Sequence, residues 1–261
     1  MCVRLQIDVG FGVSCPLALL LGFVGLGGAS TRALVSELPL WDILQVGHQQ
    51  DVQEAVRLLL DHEGTAHSHC DAATCLAKRF QSIFLVHEQN ALLCTEPHCN
   101  YSGRPCGQPA LDVSIFVRAG SLEVLLNEYQ SEEILADLSD FVCTTCSGLV
   151  QKRLQVLPQG DVLMMHLKRF QHRGSHMRKL HDKVTFPQQF QFNGQRYNFV
   201  AVITHIGQSA RGGHYISVVD TDALYKCNDT AVDRCDWVHA SQQQPYMLLY
   251  CLLYTSDAAD E

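Results

Sequence analysis

The sequence is poor in the features that mark fibrous, disordered or strongly basic chains. Only 18% of its 261 residues are charged, and its 8 Pro and 18 Gly are spread along the chain. No internal repeat and no low-complexity segment is evident. Lys and Arg number 19 against 27 Asp and Glu, so the net charge of −8 gives no overall attraction to a polyanion. We therefore expect a globular chain without a nucleic-acid partner.

One long uncharged stretch, residues 9–29, lies near the N-terminus. Its core at residues 17–24 resembles the apolar region of a signal peptide, which leaves a secretory segment open. Against it stand Arg4 as the one preceding basic side chain, the acidic Asp8, and several Gly residues that also weaken a membrane span. We expect no membrane segment, and we treat residues 1–45 as a separate N-terminal segment whose non-native origin stays open.

The apolar pattern predicts an α+β order, with helices first and strands later. Residues 48–62 repeat apolar side chains at three- and four-residue spacing and precede Gly64, which predicts an amphipathic helix. Ser121 and Ser131 each precede apolar and acidic residues, as N-caps do, and predict two short helices. Runs rich in β-forming residues predict strands at residues 80–93, 149–157, 162–170, 199–206, 215–219 and 246–250.

Cysteine and histidine are in excess, with 12 Cys and 13 His. Such numbers indicate disulfides in an oxidising compartment, or metal binding and chemistry in a reducing one. Cys143-Thr-Thr-Cys146 has the two-residue gap that directs two thiolates at one ion, and Cys94 with Cys99 can supply a second pair. Four sulfurs would close a structural zinc site, and the metal would then contribute folding free energy to a small projecting substructure.

Other interpretations of these side chains stay open. Cys106 and His98 are substitute ligands, and the four cysteines could instead be ordinary thiols. A second group lies in a polar loop where nothing supports a preformed site; it comprises His67, His69, Cys70 and Cys75. The cysteines expected to be free thiols are Cys2, Cys227, Cys235 and Cys251.

A histidine that follows two glycines marks a candidate catalytic position. Gly212 and Gly213 precede His214, and without Cβ atoms they would let a substrate backbone pass close to the imidazole. Asn228 or Asp229, at the end of a following strand, could orient the ring through its second nitrogen. That arrangement is the base-plus-orienter half of a Cys-His-Asn/Asp site. By residue type alone, a single His after glycines is more often structural, so both interpretations stay open.

This region resembles the His box of the ubiquitin-specific proteases, a family of papain-like cysteine deubiquitinases. Further motifs resemble that family in the same order along the chain. They are His48-Gln-Gln-Asp-Val-Gln-Glu-Ala-Val, the paired cysteines, Leu163-Met-Met-His-Leu-Lys-Arg-Phe170 and Lys183-Val-Thr-Phe-Pro187. The resemblance implies a partial catalytic domain at residues 46–250, and it leaves residues 1–45 unmatched and residues 251–261 as a tail outside the domain.

The resemblance also implies a fold and a set of residue roles. The fold is a papain-like hand with a partial thumb at residues 48–62, zinc-binding fingers at about 80–150 and a β-rich palm at about 150–250. The implied catalytic residues are His214 as general base with Asn228 and the adjacent Asp229 as its orienting group. The implied substrate-binding residues are Gly212, Gly213 and Tyr215. The implied ligands of a structural Zn²⁺ are Cys94, Cys99, Cys143 and Cys146.

The implied activity is thiol-dependent hydrolysis of the isopeptide or peptide bond after the C-terminal glycine of ubiquitin. Ubiquitin and ubiquitinated proteins would be the partners, and free-thiol chemistry favours the cytoplasm or nucleus. The family's nucleophile motif, Gly-Asn-Thr-Cys followed by Tyr or Phe, is not found, and the nearest candidate, Cys15, lacks the preceding Asn.

Three interpretations follow from the missing nucleophile motif. The chain is a fragment of an active deubiquitinase in which residues 1–45 replace the true segment. Alternatively, it is a catalytically inactive member of the family that binds ubiquitin or acts as a scaffold. In the third interpretation it is a zinc-bearing interaction or secreted module whose resemblance to the family is incidental.

Overall fold

The computed structural model describes most of the chain from residue 51 to residue 254. The described residues are 51–54, 56–57, 82–103, 106–134, 142–174, 176–209, 212–229 and 231–254. The expectations for residues 1–45, Cys15 and the loop at 67–75 fall outside this set, as does much of the predicted helix at 48–62. Within that predicted helix, residues 52–54 and 56–57 are helical.

Strands dominate the described part of the chain. In chain order they are β1 (Val86–Cys94), β2 (Cys106–Ala110), β3 (Val113–Phe116), β4 (Gly120–Ser121), β5 (Glu132–Ile134), β6 (Val150–Pro158), β7 (Val162–Lys168), β8 (Phe170–Arg173), β9 (His176–Lys179), β10 (Val184–Thr185), β11 (Gln189–Phe192), β12 (Gln195–Ser209), β13 (Gly212–Asp220), β14 (Leu224–Asn228), β15 (Ala231–Cys235) and β16 (Met247–Leu252). Helix α1 spans Leu122–Tyr129 and helix α2 spans Trp237–Ser241. Residues 82–84 form a helical turn before β1.

The large sheet has eight strands, seven of them in the order β15-β14-β13-β12-β16-β7-β3, while β11 pairs with β12. Its pairings are antiparallel except that of β3 with β7, which is parallel. All the strands predicted between residues 149 and 250 are present, and those of this sheet are β7, β12, β13 and β16. Strand β16 continues through Cys251 to Leu252, two residues past the expected end of the domain at residue 250.

The small sheet has the order β2-β1-β6-β5. Strands β1 and β6 pair along their whole length, from Val86 opposite Pro158 to Cys94 opposite Val150. The predicted boundary between fingers and palm at residue 150 therefore falls at the start of β6. This strand, which was expected in the palm, belongs to the small sheet. The region assigned to the fingers also contains β3, which lies in the large sheet.

One of the two predicted short helices is present and the other is wrong. Ser121 caps α1, and its side chain accepts a hydrogen bond from the Val124 backbone N–H at 3.4 Å. After Ser131 the chain forms β5 instead, because Glu132 and its neighbours pair with β6. The Glu132 carboxylate also accepts a hydrogen bond from Gln151 across that pair at 2.9 Å. Pairing with another strand thus overrides the local capping signal.

The core lies beneath the large sheet and is strongly aromatic. Phe190 packs edge-on against Tyr250, with ring centroids 4.6 Å apart, and Phe199 stacks on Phe186 at 5.9 Å. Tyr197 and Tyr250 have no exposed surface. Aromatic pairs of this kind add stability beyond the area they bury, and here they fix β12 and β16 as the rigid centre of the sheet. Of the helices among the described residues, none is long and apolar enough to cross a membrane.

Candidate functional site

His214 and Asn228 come together at one end of the large sheet. His214 lies near the start of β13, and Asn228 is the last residue of β14, which pairs with β13. His214 Nε2 is 2.6 Å from Asn228 Oδ1. An amide oxygen only accepts, so Nε2 carries the proton and donates it. Nδ1 of the neutral ring is then the nitrogen that can accept a proton.

Asp229 is farther from the imidazole than Asn228. Its carboxylate Oδ2 lies 3.9 Å from His214 Nε2, beyond hydrogen-bond distance, and its side chain is 79% exposed. Asp229 adopts a left-handed backbone conformation, with φ of 51°, at the turn between β14 and β15. Of the two candidates that the sequence left open, Asn228 makes the direct contact.

Gly213 is required by packing against the neighbouring strand. A Cβ atom at this position would lie 2.3 Å from Nε2 of His205 and 2.5 Å from the Ile206 carbonyl oxygen. His205 is buried on β12, which pairs with β13 so that Ile206 faces His214. The glycine therefore allows the two strands to approach closely just before His214. Passage of a substrate backbone along Gly212 and Gly213, which the missing Cβ atoms would allow, stays a prediction.

A buried cluster of rings and one carboxylate lies beside this site. Tyr215 packs between His205, with centroids 4.9 Å apart, and Tyr246, at 5.8 Å. The Tyr246 hydroxyl donates a hydrogen bond to Asp51, which is 195 residues away in sequence. Burial and the hydrogen bond to Asp51 raise the pKa of Tyr246. Burial, and then the Asp51 charge, raise the pKa of Tyr215 to about 12, so both hydroxyls stay protonated at neutral pH.

Asp51 also directly precedes the helical residues 52–54. Its Oδ1 accepts hydrogen bonds from the backbone N–H groups of Gln53 at 2.8 Å and Glu54 at 3.3 Å, as an N-cap does. The Gln53 side chain in turn donates to the buried Asp112 carboxylate at 3.0 Å. Because Asp112 also accepts from Ser114 of β3 at 2.9 Å, this network joins the segment to the large sheet.

The four cysteines predicted as zinc ligands converge at the far end of the small sheet. Their sulfur atoms all lie within 4.8 Å of one another; the residues are Cys94, Cys99, Cys143 and Cys146. Two sulfur pairs are closer, Cys94 with Cys146 at 3.5 Å and Cys99 with Cys143 at 3.6 Å. Tetrahedral zinc with Zn–S bonds of about 2.3 Å needs sulfurs about 3.8 Å apart, so the group fits that geometry. The substitute ligands His98 and Cys106 are not in the group.

Backbone donors around the cluster favour thiolates. For Cys143, burial raises the pKa, but hydrogen bonds from the backbone N–H groups of Cys146 and Thr145 outweigh this effect. The pKa is therefore lowered to about 6. For Cys94, the Glu96 N–H lowers the pKa, but burial and three neighbouring sulfurs raise it to about 12. Thiols that share one site in this way cannot all ionise without a cation. The donor set is therefore that of a soft divalent metal.

Sequence reasoning did not find the buried ring cluster. The sequence predicted a role for Tyr215 but none for His205 or Tyr246, because their shared contacts with Tyr215 depend on the pairing of distant strands. Asp51 could have been identified as an N-cap from the helix that follows it. Its contact with Tyr246 has no local signal. Of the predicted free thiols, Cys227 and Cys235 are free and Cys251 forms no disulfide.

Comparison with known proteins covers both the site and the surrounding fold. The family model for ubiquitin carboxyl-terminal hydrolases matches residues 34–250. A probable ubiquitin carboxyl-terminal hydrolase 16 of Schizosaccharomyces pombe is 25% identical over 80% of this chain and 49% of its own length. Ubiquitin carboxyl-terminal hydrolase 19 of Arabidopsis thaliana is 27% identical over 85% of this chain and 36% of its own length. The chain thus spans half or less of these relatives.

Among solved structures, the fold is similar to that of a chain in the SAGA DUB module Ubp8/Sgf11/Sus1/Sgf73 bound to monoubiquitin. The TM-score is 0.76 at 22% identity, and the match covers 86% of this chain and 54% of that chain. The strand-rich architecture and the hand-like arrangement expected from the sequence are therefore confirmed.

Proposed function

The chain belongs to the ubiquitin carboxyl-terminal hydrolase family, and from that premise we propose that it supplies the general base of a thiol-dependent ubiquitin hydrolase. The observation that carries the proposal is the hydrogen bond of 2.6 Å between His214 Nε2 and Asn228 Oδ1. This bond fixes the tautomer in which Nδ1 can take a proton from a thiol. Members of the family are hydrolases, and the reaction proposed is cleavage after the C-terminal glycine of ubiquitin.

In the proposed reaction, His214 Nδ1 removes the proton of a cysteine thiol, and the thiolate attacks the carbonyl carbon of that glycine. The protonated ring then donates the proton to the leaving amine. Water, activated by the same imidazole, hydrolyses the thioester and restores the thiol. Asn228 keeps the ring in place throughout, and Asp229 adds a favourable charge at 3.9 Å when the ring is protonated. No cysteine among the described residues is proposed as the nucleophile, and Cys15, the nearest candidate in the sequence, lies outside them.

The substrate's glycine-ended tail is proposed to approach along Gly212, Gly213 and Tyr215. Gly213 is exposed and His214 is 41% exposed, so this edge of β13 is open to a ligand. Tyr215 packs against the ring of His205, with centroids 4.9 Å apart, which holds its position beside this edge. Ubiquitin is bound in the similar SAGA DUB module structure, which supports ubiquitin as the partner proposed for this chain.

The four-cysteine group is proposed to hold a structural Zn²⁺. Bound there, the ion would stabilise four thiolates and join the β1 end to the turn at 142–149. The two N–H···S contacts, from Glu96 to Cys94 and from Thr145 to Cys143, both at 3.4 Å, support a thiolate site. Because no disulfide joins the described cysteines, we propose a reducing compartment, the cytoplasm or nucleus.

The test compares hydrolysis with binding. Fluorogenic ubiquitin, with a reporter amide after its last glycine, is incubated with the full-length native product that contains this chain. His214→Ala should abolish turnover and leave the affinity for ubiquitin unchanged. Retained hydrolysis would reject His214 as the base. Ubiquitin binding without turnover in the unaltered protein would instead support an inactive, ubiquitin-binding member of the family.

A further inference from the structure

A buried lysine contacts the strand that faces His214. Lys179, the last residue of β9, is 5% exposed. Its Nζ donates hydrogen bonds to the carbonyl oxygens of His205 and Gly207, both at 2.7 Å, and lies 3.2 Å from His205 Nδ1. These three acceptors match the three donors of an ammonium group. A lysine is rarely buried to this extent unless its ammonium group is paired or fully hydrogen-bonded.

The carbonyl groups of His205 and Gly207 lie in the part of β12 that no longer pairs with β16. Strand β16 pairs with β12 only as far as Met247 opposite Ile203, and the Tyr246 backbone N–H donates to the Ile203 carbonyl at 2.7 Å. The carbonyls of residues 203, 205 and 207, which are every second residue, point to the same edge of the strand. Beyond the end of β16, the Lys179 ammonium therefore supplies the hydrogen bonds that a strand would supply.

The other edge of the same segment faces His214. Ile206 pairs with His214, and the register of β12 and β13 shifts between Ile206 and Ser209. Gly207 sits in this bulge with φ of 131°. A bulge is a site where strand register is easily lost unless other contacts fix it. The Lys179 contacts are with the carbonyls of the two residues on either side of Ile206, so they hold the backbone before and after the residue opposite the imidazole.

We propose that Lys179 is a positioning residue for His214, and that its ammonium holds the bulged end of β12 in the register that aligns His214 with Asn228. The inference rests on the proposed role of His214 as the base. Lys179 acts through His205, Ile206 and Gly207 and touches no reacting atom. His205 contributes as well, because Nδ1 accepts from Lys179 and the opposite side of the ring abuts Gly213.

The test uses NMR on the full chain with Lys179→Met, which keeps the length of the side chain and removes its donors. We expect amide hydrogen exchange at residues 206–209 and 212–214 to accelerate by about tenfold or more, while Ala201 and Val202 keep their protection. The nuclear Overhauser contact between the His214 ring and the Asn228 side-chain amide should weaken. Lys183→Met is the matched control, because Lys183 is exposed.

A folded Lys179→Met protein with unchanged exchange and an unchanged His214–Asn228 contact would overturn the proposal. Should that variant not fold, Lys179→Gln, which keeps two N–H donors without the charge, is judged by the same two measurements. Neither measurement depends on turnover or on ubiquitin. A failure of the proposed hydrolysis would therefore be distinguishable from a failure of this inference.

Discussion

At the scale of single residues, the imidazole of His214 has an amide within hydrogen-bond distance and a carboxylate just outside it. The sequence placed Asn228 and Asp229 side by side and could not separate them. The structure does so by distance, because Asn228 Oδ1 lies 2.6 Å from Nε2 and the Asp229 carboxylate lies 3.9 Å from it. An amide orients the ring through a neutral hydrogen bond and adds no charge of its own.

This geometry predicts unequal effects of two substitutions. Asn228→Ala should lower kcat for ubiquitin hydrolysis by about 100-fold, because the tautomer and orientation of the base are no longer fixed. Asp229→Ala should lower it far less, since that carboxylate is 3.9 Å away and mostly exposed. Steady-state kinetics on the full-length native product measure both. Equal losses, or a larger loss for Asp229→Ala, would contradict the assignment.

A second prediction at this scale concerns Gly213. Gly213→Ala should destabilise the protein by about 1–3 kcal/mol, because a Cβ atom would overlap His205 and the Ile206 carbonyl. Gly103→Ala is the matched control, since the atoms nearest its added Cβ are at the ordinary distance of 3.4 Å. Urea unfolding gives both free energies. A neutral Gly213→Ala protein would show that β12 and β13 can separate without cost.

At the scale of elements, a buried arginine joins strand β7 to two distant segments. Arg169 directly follows β7 and is 1% exposed. Its Nε donates to the Pro245 carbonyl at 2.6 Å, and Nη1 donates to the carbonyls of Leu180 at 3.2 Å and Asp182 at 3.0 Å. Burial lowers its pKa to about 10, which still leaves the guanidinium charged at neutral pH. These hydrogen bonds thus give Arg169 of the Leu-Lys-Arg-Phe motif a structural role.

Arg169→Lys tests this role. An ammonium group cannot reproduce the planar fork of donors, so we expect a loss of about 3 kcal/mol or more in the free energy of unfolding. Arg178→Lys, at an exposed position on β9, should change it little. Urea titration of the two variants provides the comparison. A loss below about 1 kcal/mol for Arg169→Lys would mean that the three carbonyl groups find other donors.

The four-cysteine group gives the second prediction for elements. Purified protein should contain one zinc ion per chain, and both a strong chelator and Cys143→Ser should remove it and lower the melting temperature. Cys227→Ser is the control, because Cys227 is a half-buried free thiol outside the group. Elemental analysis and thermal scans measure the two effects. Zinc absent from the unaltered protein would defeat the assignment.

At the scale of the whole molecule, the sequence predicts the palm well because its strands are long and apolar. Residues 162–168 and 247–252 follow that pattern closely and form β7 and β16. The helix expected after Ser131 was wrong because β6 offered a pairing partner, which no local signal reveals. The contact between Asp51 and Tyr246 could not be predicted either, because it depends on the complete fold. The four cysteines proposed as zinc ligands could be named because paired cysteines at short spacing are themselves a chemical signal.

The central proposal is that this chain carries the base of a cysteine-dependent ubiquitin hydrolase. It rests on the family membership and on the His214–Asn228 pair. The most direct measurement treats the full-length native product with ubiquitin whose C-terminal glycine carries a thiol-reactive electrophile. Mass spectrometry then locates the modified residue. We expect one covalent adduct at a single cysteine, formed much more slowly in the His214→Ala variant. An adduct that forms at the same rate in that variant, or no adduct although ubiquitin binds, would contradict it.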